Sequence, residues 1–307
     1  MSLELKNSHP FIDGLKNAPE NRKKDMIKIK TWMNTQPHLP TISDEYIYLF
    51  LHACYYQHEK TKSAIEQYFT IRANNPMIFA DRDPESERMK VIMDLAHLVR
   101  LPKSTPEGYR VLLYSVRDPD PTKVNFADAV KGFCMYNDCI LSEDGLAEGY
   151  VVLFDMKSVC IGHLARVSLP ALKCFMMYIQ EAHPCRLKGI HVLNTANWIN
   201  HVMRLVVPLV KSEVLALVKF HKGCVPDTIP IEILPMDYGG EAPSVDDLDK
   251  DTKCLTRKYT DWLIESSKIV ADESKRVKKA SWWGLLTGSN SPQKMDEKTI
   301  LKNLQID

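Results

Sequence analysis

Histidines and one carboxylate are the residues of this 307-residue chain whose types and positions could support acid–base catalysis. Asp155 ends an apolar run, where an open α/β sheet places catalytic acids, but it can equally cap the segment that follows, which we favour. A lone histidine beside apolar residues is more often a hydrogen-bonded structural group than a catalyst. The histidines considered stand singly at His163, His183, His191, His201 and His221.

Motifs for nucleophilic, phosphate-binding or metal chemistry are missing from the sequence. It contains no GxSxG elbow, no GxxxxGK[ST] loop, no HExxH pair and no GxGxxG loop. A hydrolase that uses Asp155 and one histidine is therefore the least favoured hypothesis. We expect a protein that is not an enzyme and that needs neither a cofactor nor a metal ion.

Composition restricts the partners and the compartment. Forty basic and thirty-nine acidic residues leave a net charge of +1, so we expect no nucleic-acid partner. The eight cysteines form no CxxC pair, and several lie in apolar runs, as reduced thiols do. No apolar run reaches the ~18–20 residues of a membrane span, and the first thirty residues are too charged for a signal peptide. These features predict a cytoplasmic protein.

Basic and aromatic residues follow one another near residue 280. Such a pattern suits a membrane interface, but we favour a terminal helix that docks its aromatic side chains onto the body of the protein. Both interpretations stay open for Lys275, Arg276, Lys278, Lys279, Trp282, Trp283, Leu285 and Leu286.

The elements that would position a site fall into two groups. Three helices are predicted over residues 21–36, 43–57 and 59–76, the second with Ser43 as its N-cap. After residue 100, β-branched runs alternate with helical patterns, which predicts βαβ units and a mixed, mainly parallel sheet. The predicted strands are 108–118, 149–156, 187–194 and 230–240, and the predicted crossover helices cover 125–144 and 162–182.

Residues beyond 240 have a different composition. The acidic stretch 241–251 is predicted to be a linker, and 254–280 to be one amphipathic helix. The stretch 288–298 is rich in turn residues.

The segment 196–210 carries more apolar residues than one helix face needs. A helix on a protein surface requires an apolar stripe of roughly 100°, so the surplus must contact something else. Either the helix is buried on all sides, or it encloses a cavity over the sheet, which we favour because it follows a strand directly. The strand residues that would face it are Val152, Phe154, Ile190 and Val192.

Four separated motifs, in order and at the family's spacing, resemble the CRAL-TRIO lipid-binding family. They are "FLHACYYQHEKTKSAIEQYFTIRANNP" at 50–76, "FDM" at 154–156, "KGIHVLN" at 188–194 with the helix after it, and "ILPMDYGGE" at 233–241. The resemblance covers roughly residues 10–255. It implies an α/β fold in which an N-terminal three-helix module (1–85) precedes a lipid-binding domain (86–250) with a sheet cradle and a helical gate at 196–219. Residues 251–307 would form a C-terminal helix and a mobile tail.

The resemblance also implies a function and a set of pocket residues. The chain is expected to bind and transfer a small hydrophobic lipid, such as a tocopherol, a retinoid or another terpenoid, and to contact a membrane transiently. Asn137 and Tyr178 would orient a polar group of the ligand. Matching the motifs position by position gives a pocket of Val130, Phe133, Cys134, Asn137, Val152, Phe154, Val167, Phe175, Tyr178, Ile179, Leu187, Ile190, Ile199, Val202, Met203, Val206 and Val210.

The sequence departs from the family at its phosphoinositide site. Arg186 and Lys188 keep two of the basic positions and are the candidate phosphoinositide contacts. His52 and Cys54 stand where arginines are expected, and Glu213 and Leu217 replace basic residues of the gate. Phosphoinositide-triggered exchange is therefore disfavoured. Exchange or sensing of a phospholipid is the alternative function, and it is less favoured because the expected pocket offers no cation for a charged headgroup.

Overall fold

The computed structural model describes residues 18–226 and 228–277. The first helices form the predicted module: α1 (Glu20–Met33), α2 (Asp44–Ala53), α3 (His58–Asn74) and the short α4 (Pro76–Phe79). Ser43 caps α2, because its hydroxyl accepts a hydrogen bond from the backbone N–H of Tyr46 at 3.2 Å. The module closes around Ile29, Phe50 and Ile65, which are fully buried.

Five strands form the central sheet, in the order β1-β2-β3-β4-β5. β1 is antiparallel to β2, and the other neighbouring pairs are parallel. The predicted mixed, mainly parallel sheet is thus confirmed. The strands are β1 (Ala96–Arg100), β2 (Arg110–Val116), β3 (Tyr150–Asp155), β4 (Leu187–Leu193) and β5 (Val218–Phe220).

Helices connect the parallel strands over one face of the sheet. Consecutive parallel strands joined by right-handed crossovers place their connecting helices on the same side. α5 (Glu87–Leu95) leads directly into β1, α6 (Phe126–Asp144) joins β2 to β3, and α7 (Ile161–Leu164) and α8 (Leu169–Glu181) join β3 to β4. α9 (Ile199–Val206) and α10 (Ser212–Leu215) join β4 to β5.

Side chains alternate between the two faces of the sheet, as the pleat requires. The register aligns Leu112, Val152, Ile190 and Val218 in one row across β2 to β5, and this row faces the connecting helices. The opposite face forms a separate core with the chain after β5. Its strand residues are Val99, Val111, Leu113, Val151, Leu153 and Leu193.

The structure corrects one strand prediction and adds two edge strands that were not predicted. The stretch 230–240 is not a strand: it forms 3-10 turns at Ile231–Ile233 and Met236–Tyr238, with only an isolated bridge from Pro235 to Ala242. Pro230 and Pro235 lack the N–H that a sheet ladder needs. The edge strands β1 and β5 were not predicted, because five and three residues are too short for an alternating pattern to register.

The C-terminal predictions were wrong in detail. Most of the stretch taken for a linker, from Val245 onward, belongs to α11 (Val245–Lys258). Its N-cap Ser244 accepts from Asp247 N at 3.2 Å. Asp246 and Asp247 in the first turn favour a helix start, so this acidic run is a helix signal. The proposed boundary at residue 250 falls within this helix. The single helix predicted over 254–280 is instead the end of α11 followed by α12 (Thr260–Ser266).

After α12 the chain returns to the N-terminal module. Ala271 N donates to Phe69 O at 3.2 Å, and Asp272 N donates to His38 O at 2.8 Å. Arg276 pairs with Glu66 and Glu273, and Lys275 pairs with Asp272, so acidic side chains engage the two described members of the basic and aromatic run. Its remaining members, including Trp282 and Trp283, lie outside the described residues, as does the stretch 288–298.

A buried charge cluster joins the module to the sheet domain. Asp138 of α6 accepts from Arg82 at 2.5 Å and from Arg72 of α3 at 3.4 Å. Burial alone would raise the pKa of Asp138, but the two guanidinium groups outweigh burial and hold that pKa below its usual value. Arg82 also donates to the hydroxyl of Ser266 at 3.0 Å, so one cluster ties α3, α6 and α12 together.

Candidate functional site

A cavity of about 440 Å³ lies between the sheet and its connecting helices. Its volume is within the range of small-molecule sites, roughly 300–1,000 Å³. The lining is aliphatic and aromatic apart from a few polar residues. It consists of Leu112, Phe126, Ala129, Val130, Phe133, Asn137, Ile140, Leu141, Tyr150, Val152, Phe154, Met156, Leu172, Phe175, Met176, Ile179, His183, Cys185, Leu187, Ile190, Val192, Ile199, Val202, Met203, Val206, Val210, Val214, Leu215, Val218 and Phe220.

Periodicity places these side chains. Along the strands every second residue faces the cavity, so β3 contributes Tyr150, Val152 and Phe154. Along α6 and α8 the lining residues recur at three- and four-residue spacing, which is one face of a helix. From α8 these are Leu172, Phe175, Met176 and Ile179.

The gate, defined here as residues 199–211, covers the cavity on the side of β4 and β5. Its first part is α9, which directs Ile199, Val202, Met203 and Val206 into the cavity, and Val210 follows. The gate does not form the continuous helix expected over 196–219. α9 ends at Val206, and a 3-10 turn at Val207–Leu209 follows because Pro208 has no N–H to continue the helix.

The apolar surface of this segment is therefore divided between two surroundings. Ile199 and Met203 are buried, whereas His201 and Arg204, on the opposite side of α9, are exposed. Val202, Leu205 and Val206 are half-buried. The helix is not buried in protein on all sides, and its apolar side faces the cavity.

The described lining contains few polar side chains, and none carries a full charge. Asn137 accepts from the hydroxyl of Tyr114 at 2.8 Å and donates to Phe133 O at 2.8 Å, so protein groups occupy its amide. The Tyr150 hydroxyl and Nε2 of His183 are buried from solvent. Among the described residues, no Asp, Glu, Lys or Arg lines the cavity.

His183 lines the cavity as a neutral imidazole. Its Nδ1 lies 3.3 Å from Sγ of Cys185, which also lines the cavity. Burial lowers the pKa of His183 to about 4, against the smaller opposing effect of the Asp138 charge. The interior is thus free of full charge at neutral pH.

All but three of the expected pocket residues lie in this lining. Cys134 and Tyr178 belong to the core shared with the N-terminal helices, where the Tyr178 ring lies 4.8 Å from Phe79 and 5.7 Å from Tyr68. Val167 lies in the loop between α7 and α8. Tyr178 therefore does not present its hydroxyl to the cavity, and neither Asn137 nor Tyr178 offers the expected polar contact.

Several lining residues were not expected from the sequence. Phe126, Leu172 and Met176 lie three or four residues from expected positions, so helical periodicity could have identified them. Val218 and Phe220 belong to the three-residue strand β5, which left no usable signal. His183 and Cys185 follow α8 in a short turn, and nothing in their spacing indicated the cavity.

Arg186 and Lys188 lie outside the cavity, at the start of β4. Arg186 Nε donates to His52 O at 2.9 Å, and its guanidinium stacks 4.3 Å from the centre of the Tyr55 ring. Lys188 Nζ donates to the Tyr55 hydroxyl at 2.9 Å. The Lys188 stem crosses Gly149, where a Cβ would lie 2.3 Å from its Cγ, so a larger residue there would displace the lysine side chain. Tyr55 therefore covers the basic pair.

The hydrolase candidates are not brought together. Asp155 accepts from Lys157 N and Asn194 Nδ2, each at 2.8 Å, and from the Tyr238 hydroxyl at 2.6 Å. Its contact with Lys157 N is the local cap favoured from the sequence. His191 is paired with His221 at 2.9 Å instead.

Two family models match separate parts of the chain. A model of the CRAL/TRIO domain matches residues 96–240, and a model described as Pinta-like, UBA domain matches residues 18–89. Alpha-tocopherol transfer protein-like proteins of Mus musculus and Homo sapiens are 23% identical over 238 residues, covering 76% of this chain and 69% of theirs. Clavesin-2 of Rattus norvegicus is 20% identical over 238 residues, covering 76% of this chain and 73% of its own.

Among solved structures, "Crystal structure of Sfh5" aligns with a TM-score of 0.45 and 11% identity, covering 72% of this chain and 95% of that chain. Within residues 18–226 and 228–277, every helix is too short or too polar to cross a membrane.

Proposed function

Because the chain belongs to the CRAL-TRIO family, whose members bind and transfer lipophilic ligands, we propose that it carries a small, uncharged lipid. The cargo is a tocopherol-, retinoid- or other terpenoid-like molecule, which the cavity holds and the gate encloses. No covalent bond is made or broken in this cycle, so the chain acts as a carrier and not as an enzyme. The eight free cysteines suit a cytoplasmic carrier.

The observation that carries this proposal is the uncharged, apolar lining of a 440 Å³ cavity. Burying ~400 Å² of apolar ligand surface at ~25 cal/mol/Å² gives about 10 kcal/mol before the costs of association. Those costs remove much of this free energy and leave an affinity in the sub-micromolar range. Because the Asn137 amide is already bonded to protein groups, shape and volume contribute most to the selection of cargo.

The alternative cargo, a phospholipid or phosphoinositide, fits this interior less well. A buried phosphate needs cationic or N–H partners, because burying an unpaired charge costs several kcal/mol. The described lining contains no Lys or Arg, and the basic pair Arg186 and Lys188 is occupied by Tyr55. A phospholipid would have to leave its headgroup outside the cavity.

A transient membrane contact completes the cycle, and the face around the gate suits an anionic surface. Residues 156–180 and 194–212 contain five basic side chains and no acidic one, in a chain that is nearly neutral overall. Ile161 and Leu169 are 58% exposed and Met177 is 40% exposed on the same stretch. Each cation near an anionic surface contributes ~1 kcal/mol at best, and inserted apolar side chains add to this.

The proposal is tested with diphenylhexatriene, an uncharged apolar probe that fluoresces only outside water. The full chain should take up the probe and release it to phosphatidylcholine vesicles. Added tocopherol or retinol should displace the probe from the protein, whereas phosphatidylinositol should not. Val202→Glu places a carboxylate in the cavity and should abolish uptake, whereas His201→Glu, on the exposed side of the same helix, should leave it unchanged. Displacement by phosphatidylinositol at equal or lower concentration would favour the alternative cargo. Equal uptake by both variants would exclude the cavity as the binding site.

A further inference from the structure

The side-chain amide of Gln180, at the end of α8, holds the far end of the gate. Its Nε2 donates to Leu209 O at 3.0 Å, and its Oε1 accepts from Lys211 N at 2.6 Å. The second N–H of the amide donates to Met176 O at 2.7 Å, in the preceding turn of α8. A flipped amide would set two donors against each other at Lys211, so the hydrogen bonds define one orientation.

The opposite end of the gate is held in a different way. Asn194 N donates to Gly223 O, and Thr195 N donates to His221 O, each at 3.0 Å, which ties the chain before the gate to the segment after β5. The Asn194 side chain donates to Asp155, which is 8% exposed, and the backbone of Asn194 adopts a left-handed φ of 50°. This end is thus built into the sheet.

Between its two ends, the gate contacts the protein through apolar side chains. Ile199, Met203 and Val207 pack on Leu215 and neighbouring apolar residues. A second polar contact near Gln180 is an ion pair between Lys211 and Glu181 at 2.5 Å, whose side chains are 53% and 35% exposed. Solvent screens such a pair, so its contribution is small.

We propose that Gln180 is the positioning residue that sets how often the gate opens. The gate pivots at Asn194 and Thr195, and it opens when Leu209 and Lys211 separate from the Gln180 amide. This inference rests on the proposed carrier function, because it names the residue that controls exchange at the same cavity. It goes further by assigning the two ends of the gate different roles, one as a pivot and one as a latch.

The latch has a kinetic signature. Opening lets ligand in as well as out, so weakening the latch speeds uptake and release together and changes the affinity much less. Two hydrogen bonds that are partly replaced by water on opening should change the opening equilibrium about ten-fold. A residue that only supported the cavity wall would lower the affinity instead.

The experiment uses the full chain, the variant Gln180→Ala, and Glu181→Gln as the matched control that removes only the exposed ion pair. Release of diphenylhexatriene to phosphatidylcholine vesicles should be about ten-fold faster in Gln180→Ala, with an affinity within about two-fold of wild type. Gln180→Glu keeps the acceptor for Lys211 N–H but loses the donor to Leu209 O. Its release rate should therefore lie between those of wild type and Gln180→Ala. Glu181→Gln should behave as wild type.

Amide hydrogen exchange tests the latch without any ligand. In Gln180→Ala, residues 199–211 should exchange faster while β3 keeps its protection. Unchanged release and unchanged exchange would overturn the latch, and so would a loss of protection throughout the sheet, which would give Gln180 a general structural role. If wild type takes up no probe, the carrier proposal fails, whereas the exchange experiment still decides whether Gln180 holds the gate.

Discussion

Tyr114 of β2 donates its hydroxyl proton to Oδ1 of Asn137 on α6 at 2.8 Å. Asn137 in turn donates its Nδ2–H to Phe133 O. Both the oxygen and the nitrogen of the Asn137 side-chain amide are therefore bonded to protein groups. The pair stabilises the packing of α6 on the sheet and leaves the ligand side apolar. In the proposed carrier, this pair would contribute to the stability of the wall and not to the selection of cargo.

Asn137→Leu should therefore destabilise the protein without changing its selectivity. The variant leaves the buried Tyr114 hydroxyl without an acceptor, which costs about 1–3 kcal/mol of unfolding free energy. Adding Tyr114→Phe should restore much of that loss, because both polar partners are then removed. Urea unfolding measures the first effect, and competition between hydroxylated and deoxygenated forms of one terpenoid measures the second. A selective loss of the hydroxylated form would show that Asn137 contacts cargo.

Membrane docking should depend on the apolar side chains that α8 turns away from the cavity. Leu169 and Met177 lie two turns apart on that side, with the exposed Lys173 between them. Leu169→Asp combined with Met177→Asp should weaken cosedimentation with phosphatidylserine-containing vesicles about ten-fold, because it removes insertion and adds repulsion. Val91→Asp changes a side chain that is 50% exposed on α5 and serves as the control. Equal losses in both variants would mean that overall charge, and not this face, governs the contact.

Arg186 should act on stability and not on phosphoinositide response. Its side chain is 9% exposed, bonded to His52 O and stacked on Tyr55, so it links β4 to the N-terminal module. Arg186→Ala should lower the unfolding free energy by about 1–2 kcal/mol. Release of probe from wild type should change less than about two-fold when phosphatidylinositol bisphosphate is added to the vesicles. A large acceleration that Arg186→Ala removes would show that Tyr55 yields its place to a headgroup.

Acid should destabilise the protein through its buried neutral histidines. Burial lowers the pKa of His52, His183 and His191 to about 4 each, whereas an unfolded chain binds the proton near pH 6.5. The unfolded state therefore holds more protons between these values, and the unfolding free energy falls as the pH falls from 6.5 towards 4.

His183→Gln should reduce that pH dependence by about 1 kcal/mol per pH unit, measured by urea unfolding at several pH values between 7 and 5. The exposed His201 provides the control, and His201→Gln should preserve the wild-type slope. If His183→Gln shows the full wild-type slope, His183 does not contribute to the acid sensitivity.

The sequence was sufficient for the parts of the fold that rest on long periodic patterns. β2 and β3 have continuous apolar runs, β4 alternates, and α6 and α8 follow helical spacing, so these elements could be predicted. The residues of the cavity wall were named from the resemblance to the CRAL-TRIO family. Cys134 was misplaced because it neighbours Phe133 on α6, and one residue rotates a helical side chain by about 100°. Tyr178 is likewise next to a lining residue, Ile179, but faces the N-terminal module. The packing of α8 between this module and the cavity decides which side of the helix lines the cavity.

Short or long-range features could not be read from sequence order. β5 exists because β4 offers it a pairing edge, and three residues carry no pattern of their own. The latch at Gln180 joins residues about thirty positions apart, and no local spacing predicts that a glutamine side chain will bond the backbone of a distant turn. The acidic start of α11 was misjudged because the same aspartates serve a helix N-terminus and a solvated linker.

The most direct test of the carrier account is to let the protein choose its cargo. The full chain is incubated with mixed vesicles of phosphatidylcholine, phosphatidylinositol, tocopherol, retinol and sterol, separated from them, extracted, and analysed by mass spectrometry. We expect one class of neutral lipid to be recovered at close to one molecule per chain. This recovery should be lost in Val202→Glu and kept in His201→Glu. Recovery of a phospholipid in that ratio, dependent on Val202 in the same way, would contradict this expectation.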